Sequence, residues 1–270
     1  MYLRKFGYDK SNTQYIDSNV KVAKDCFIGR GCSLYGDVKL MNYSHIENNT
    51  IIFGPAIIGK KTYIGPNCLL GHPDRERIKK TIANLKKFDS SSISDKLEIG
   101  NECIIRSGTI IYDNVKIGNE VEFGHNVMIR EKVEVGDRTI VGTNTVIDGS
   151  CKLGSSVSIQ TNVYICSNSI VEDAVFLGPN CVFTNDKYAM QKSTKLIGPI
   201  VRRGASIGAN STLMPGIIVG KGSVVGAGAL VSRNIPPRKI YIGNPARIKG
   251  AVPLEWKSIL EERLKGFKKT

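Results

Sequence analysis

From Ile99 onward every sixth residue is large and apolar, through Ile105, Ile111, Ile117, Phe123, Ile129, Val135, Val141, Ile147, Leu153, Ile159, Ile165, Val171 and Leu177 to Phe183. The same step runs from Ile16 to Leu70 and again from Val201 to Val231. These runs hold 31 positions, and at 41% apolar content such a succession arises by chance about once in 10¹². A second column, two residues ahead of each large one, is small or β-branched, as in Cys103, Thr109, Val115, Val121, Val175 and Cys181. A period of six fits neither a helix at 3.6 nor a plain strand at 2, but it fits one short strand plus one tight corner. Three units close a triangular coil of 18 residues. Stacked coils pair their strands in parallel about 4.8 Å apart and satisfy each other's backbone groups except at the ends. The pattern therefore predicts a β prism of about ten coils, with an axis of roughly 48 Å.

Two segments interrupt the step. Residues 71–98 carry Ile78, Ile82 and Leu85 at helical spacing amid Arg75, Arg77, Lys79, Lys80, Lys86 and Lys87, which predicts a short amphipathic helix. Residues 184–200 leave the apolar count in phase, as expected of a loop extruded from one corner. After Val231 the stretch 232–250 ends the prism, so the solenoid occupies residues 1–250. Leu254, Ile259, Leu260 and Leu264 within 251–270 predict a helix that caps the last coil.

Composition agrees with tight β turns rather than a helix bundle, with 28 glycines, 7% aromatic residues and a single tryptophan, Trp256. The balance of 38 Lys and Arg against 24 Asp and Glu gives a net charge of +14, which concentrates anions without naming one. Residues 1–5 lack the apolar stretch of a secretory signal, and no run is long enough to span a bilayer, so the expectation is a cytoplasmic protein without a membrane partner. Seven cysteines show no framework spacing and are expected as reduced thiols. Six of them, at 26, 32, 68, 103, 151 and 181, fall in the small column and read as corner packing, while Cys166 lies off it. Three scattered histidines supply no metal ligand set, and no nucleic-acid module is evident.

The hexad array followed by Asn234-Ile-Pro-Pro-Arg-Lys-Ile-Tyr-Ile-Gly-Asn-Pro-Ala-Arg247 resembles the hexapeptide-repeat acyltransferases. That resemblance implies an all-β fold, a left-handed parallel β-helix, with acetyl-CoA as co-substrate and a homotrimer holding its sites in the clefts between subunits. A second pair of segments, Val157-Ser-Ile-Gln-Thr-Asn-Val-Tyr-Ile165 and Val182-Phe-Thr-Asn-Asp-Lys-Tyr188, resembles the branch that N-acetylates nucleotide-linked 3-amino sugars. Ala189 stands where that branch has proline. The implied reaction is direct attack of the sugar amine, on a dTDP-linked deoxysugar, upon the thioester in a ternary complex.

Amide formation from a thioester needs an unprotonated amine, a stabilised oxyanion and a destination for the amine proton. Imidazole suits the last task, and His125 in Phe123-Gly-His-Asn-Val-Met-Ile129 is the favoured base or acceptor-orienting group; His45 and His72 match no motif. The resemblance singles out Asn162 as its partner. Yet Asn126, Asn144, Asn162 and Asn180 recur every 18 residues, and asparagine tolerates the left-handed backbone of tight corners. Glu122, Arg130, Glu131, Asn185, Asp186 and Tyr188 are candidate acceptor contacts. Small corners at Ala205 and Ala227 would admit the pantetheine arm, with Arg202, Arg203, Arg233, Arg238 and Lys239 as phosphate partners. The residues also leave open acylation of another small metabolite, on oxygen or nitrogen, and a non-catalytic β-helix scaffold.

Overall fold

A computed structural model describes residues 14–83 and 96–266. The opening five residues, Leu85, Lys86, Lys87 and the last four residues lie outside this set. All 31 positions of the large column fall in strands, most only two residues long. With two further strands at the end they form three sheets of 11, 10 and 12 strands, parallel along the prism, where each strand pairs with the one three places later. Ten coils account for ten strands per face, so the 11-stranded sheet has one more and the 12-stranded sheet two more. The surplus on one of them is a terminal hairpin, Lys239–Ile242 against Arg247–Ala251, which the hexad count does not contain.

The inward column is sealed from Leu34 to Val231, with Phe123 and Phe183 its largest fully buried members, whereas Ile16, Val22 and Ile28 of the first coil remain partly exposed. The faces differ in what they show outward. On the 11-stranded face the outward row runs Tyr15, Ser33, Ile51, Leu69, Ile110, Met128, Val146, Tyr164, Val182, Thr212, Leu230, without a single charge. The 10-stranded face carries Lys21, Lys39, Glu98, Lys116, Glu134 and Lys152, alternating in sign at its centre. The 12-stranded face is mixed, with Ile104, Glu122, Ile140 and Ser158 in sequence. We call these the apolar, charged and mixed faces.

Corners explain the rest of the repeat. Every sixth residue from Glu102 to Asn180 has a positive φ, whether it is Asn, Glu, Lys, Arg, Ser, Ala or Gly. The run Asn126, Asn144, Asn162 and Asn180 thus marks one edge of a requirement that all three edges share, with Asn114 and Asn168 meeting it on the insertion edge. The small column turns out to be a column of short donors as well. Cys103 Sγ donates to Gly118 O (3.2 Å), Thr139 Oγ1 to Gly154 O (2.9 Å), Cys151 Sγ to Cys166 O (3.1 Å) and Cys181 Sγ to Gly208 O (3.1 Å), each tying one coil to the next. Burial holds these thiols protonated, pushing Cys151 up to about 12 and Cys68 and Cys181 up to about 11. Alkylation of the folded protein with iodoacetamide at pH 8 is therefore expected to label Cys26, the one cysteine that is not buried, well ahead of the others. Peptide mapping that finds Cys151 or Cys181 modified first would contradict this packing.

Both insertions leave from the same edge, where the chain passes from the apolar to the charged face. The first lies between strands Leu69–His72 and Leu97–Ile99, the second between Val182–Phe183 and Ile200–Val201. Helix α1 (Arg75–Ala83) occupies the first and buries none of its residues. Asp74 Oδ1 accepts from the Arg77 N–H (2.9 Å) and caps it. The Arg77 side chain pairs with Asp113, which is only 2% exposed, and so pins the helix to the prism. Helix α2 (Ile259–Gly266) does not lie across the last coil as expected. It runs along the edge between the charged and mixed faces, where Arg203 Nε meets Glu261 (3.3 Å), and Leu260 and Arg263 line a groove with Glu122, Ile140 and Ser158. The hairpin's main chain has already paired with the final coil at Val224 and Val225, leaving the helix only an edge to cover.

Candidate active site

His125 stands on the third edge, between the mixed and apolar faces, and it is exposed. Its Nδ1 lies 2.7 Å from Ser107 Oγ, one coil below, and its backbone N–H donates to Thr143 Oγ1 (3.2 Å), one coil above. When Nδ1 carries the proton and donates it to Ser107, Nε2 presents its lone pair, the form a base needs. Ser107 was missed in the sequence reading, although it sits 18 residues ahead of His125 and the period alone points to it. Arg106 beside it reaches Glu122 at 3.6 Å, so that predicted acceptor contact lies next to the His125 corner.

Above His125 the edge is built of short side chains. Backbone bonds from Asn144 to His125, Asn162 to Thr143, Asn180 to Thr161, Asn210 to Pro179 and Gly228 to Ala209 stack these corners in one ladder that ends at Ala227. Asn162 belongs to it, two coils or about 10 Å from the His125 level, with φ 59° and its N–H given to Thr143 O (2.9 Å). At Gly228 an added Cβ would meet nothing within 4 Å, so the top of the ladder is open. There Leu230 N–H donates to Gly243 O (3.1 Å) and Ala246 N–H to Leu230 O (2.8 Å), which brings Arg247 to this edge. Arg247 belongs to the quoted terminal motif but was not among the residues assigned to phosphate.

The cations that were assigned stand elsewhere. Arg202, Arg203, Arg238 and Lys239 lie on the α2 edge, and Arg233 lies on the insertion edge. Arg202 Nη1 is held by Glu172 (2.5 Å), Arg203 by Glu261, and Arg238 Nη2 by the carbonyls of Val252 (3.2 Å) and Pro253 (2.9 Å). Ala205 is fully buried inside its corner. Within one chain these groups do not converge with His125.

The insertion edge gathers the remaining candidates. Arg130 forms a two-point ion pair with Glu131 (3.0 and 3.1 Å), meets Asp148 at 3.3 Å and lies over the Tyr112 ring. Asn185 Nδ2 donates to Ser167 Oγ (2.8 Å), and the Asp186 carboxylate accepts from the N–H groups of Tyr188 (2.9 Å) and Met190 (2.8 Å). Those backbone bonds hold Asp186 below its usual carboxylate range and give it the task of shaping the loop. Tyr188 stays exposed, with the ammonium groups of Lys187 and Lys192 within 6 Å of its ring. The other two histidines are built into side-chain stacks, His45 between Phe27 and Tyr63 and His72 against Tyr112. Among the described residues no group of His, Cys, Asp or Glu is placed to hold a metal, and no helix is long and apolar enough to cross a membrane.

The described residues form a parallel β-helix of six-residue steps, with His125 exposed on one of its edges. Three segments, 96–131, 114–149 and 198–233, match the family model "Bacterial transferase hexapeptide (six repeats)". The chain is 57% identical over 53 residues to the dTDP-3-amino-3,6-dideoxy-alpha-D-galactopyranose 3-N-acetyltransferase of Aneurinibacillus thermoaerophilus, covering 20% of this chain and 28% of that protein. It is 26% identical over 218 residues to the bifunctional protein GlmU of Pseudoalteromonas atlantica, covering 77% of this chain and 39% of that one. The chain thus spans well under two thirds of the curated relatives it matches. Among solved structures, the UDP-N-acetylglucosamine acyltransferase of Campylobacter jejuni superposes with a TM-score of 0.52 at 13% identity, over 93% of this chain and 82% of that one, a likeness of fold.

Proposed function

We propose that this protein is an acetyl-CoA-dependent N-acetyltransferase acting on the amino group of a nucleotide-linked, dTDP-type, 3-amino deoxysugar. The observation that carries the reading is the His125 edge, an exposed imidazole hydrogen-bonded to Ser107 at the foot of a ladder of short side chains. A pantetheine arm would lie along Thr143, Thr161, Pro179 and Ala209 toward Ala227, and Arg247 becomes the phosphate partner there in place of the cations on the other edges. The sugar amine attacks the thioester carbon, His125 Nε2 takes the amine proton as the C–N bond forms, and the C–S bond breaks to release the coenzyme thiolate, which is then protonated. The short, high-identity match to a dTDP-amino-sugar acetyltransferase supports the acceptor class.

A homotrimer completes the reading. The apolar face is uncharged over eleven rungs in a chain of net charge +14, and no described element covers it, whereas α2 already covers part of the mixed face. With that face turned to a three-fold axis, symmetry sets the His125 edge of each copy against the insertion edge of the next at equal height. Arg130 and Glu131 of the next copy then stand level with His125, and the Asn185–Tyr188 loop about 15 Å above it, three coils higher. This reunites the acceptor candidates that one chain keeps on separate edges. A thiol-release assay with acetyl-CoA and a panel of dTDP- and UDP-linked amino sugars, serine and a free amino sugar tests it. Release is expected only with a nucleotide-linked 3-amino sugar; intact protein that binds no CoA at millimolar concentration would instead support a scaffold.

A further inference from the structure

We propose that α1 is an acceptor-phosphate clamp supplied in trans, with Arg75, Lys79 and Lys80 of one copy binding the diphosphate of the nucleotide-linked sugar held at the next copy's His125 edge. The inference rests on the trimeric reading above and goes beyond it by giving the first insertion a task and the acceptor's nucleotide a position.

The argument starts from how α1 is attached. A nine-residue helix that buries no residue gains nothing for its own chain's core, yet it is fixed by a capped N-terminus and by the ion pair of Arg77 with the buried Asp113. Such fixing is needed if the helix must be held in place for something outside its own prism. Its remaining cations, Arg75, Lys79 and Lys80, are exposed and make no ion pair among the described residues. Ile78 and Ile82, one helical turn apart, are exposed too, Ile82 at 69%. On a monomer both features are costs without return; beside a second copy they become a contact and a charge.

Height decides which part of the neighbour they meet. The insertion departs after the strand Leu69–His72, and that rung lies two coils below Met128, the strand that follows His125. The three-fold operation leaves height unchanged, so the insertion of one copy departs about 10 Å below the next copy's His125 and α1 is pinned by Arg77 to Asp113 about 5 Å below it. Below His125 that edge carries Arg106 one coil down, where it also meets Glu122 (3.6 Å), then the short corner Gly65-Pro66-Asn67, then Glu47-Asn48, with Arg30 four coils down. The coenzyme would occupy the upper ladder, leaving the lower side to the acceptor. A 3-amino sugar with its amine at Nε2 trails its anomeric diphosphate a sugar's width away, where a dianion would meet Arg106 and the three cations of α1.

The test uses the full-length protein with Arg75, Lys79 and Lys80 all changed to glutamine, and separately with Lys79→Arg and Lys80→Arg. Sedimentation velocity and circular dichroism confirm assembly and fold of each. The glutamine variant is expected to raise KM for the nucleotide-linked acceptor at least tenfold, with KM for acetyl-CoA and kcat at saturation within twofold of wild type, while the arginine variant behaves as wild type. Calorimetric binding of thymidine diphosphate, a readout independent of turnover, should weaken by a similar factor. With the acceptor well below its KM, where the glutamine variant and His125→Ala are each poor alone, co-expressing the two should restore about a quarter of wild-type sites, because a random mixture places an intact α1 beside an intact His125 at that frequency. A trimeric glutamine variant with unchanged acceptor KM, or no recovery in the mixture, overturns the clamp while leaving the parent reading intact. A wild-type protein that is monomeric, or that acetylates no nucleotide-linked amine, removes both together.

Discussion

Replacing His125 with alanine is expected to lower kcat by about 10²–10⁴, the range of general-base catalysis, with KM for acetyl-CoA little changed. The exposed side chain contributes nothing to the sealed interior, so the variant should fold as wild type. A thioester is already activated and its thiolate can take a proton, which is why some turnover should survive. Ser107→Ala is the companion. Loss of the 2.7 Å contact frees the ring to rotate and to exchange tautomers, so a smaller fall in kcat is expected than in His125→Ala. Steady-state thiol release across pH for both variants is the measurement, and unchanged turnover in His125→Ala removes the base from the mechanism.

Met128→Glu combined with Val146→Glu should dissociate the proposed trimer and cost at least about 100-fold in activity. Both side chains point outward from the apolar face at the His125 level, so each prism keeps its own core. Six carboxylates brought around one axis cost several kcal/mol of like-charge repulsion and desolvation, which an otherwise apolar contact does not offset once its centre is charged. Activity goes with assembly because Arg130, Glu131 and the second-insertion loop reach His125 only from another copy in this arrangement. Sedimentation velocity alongside thiol release tests it; a double variant that remains trimeric with wild-type turnover would show that copies meet elsewhere.

Much of this was readable in the chain because a solenoid makes sequence distance and spatial distance nearly proportional. Counting by eighteen places Asn162 and Ser107 on the His125 edge, but the count fails across the second insertion, where Val201 stacks on Val171, and so it could not place Arg202, Arg203 or Arg233. The asparagine recurrence was readable as a left-handed corner, but it took the backbone to show that Glu120, Lys132 and Ala174 obey the same rule. Other contacts carried no periodic signal at all. Arg77 with Asp113, Arg203 with Glu261 and Asp186 with its own loop join segments whose spacing no repeat governs.

By itself the sequence determined the winding, since a large residue every sixth position can be buried only when the chain turns after each one. It also determined where the winding is broken and which edge carries the lone exposed imidazole. Only the tertiary structure decided that both insertions emerge from one edge, that α2 lies along a side and that one face stays uncharged and uncovered. Those outcomes depend on how far each excursion travels before rejoining the coil and on which surface it then finds, and six-residue periodicity constrains neither.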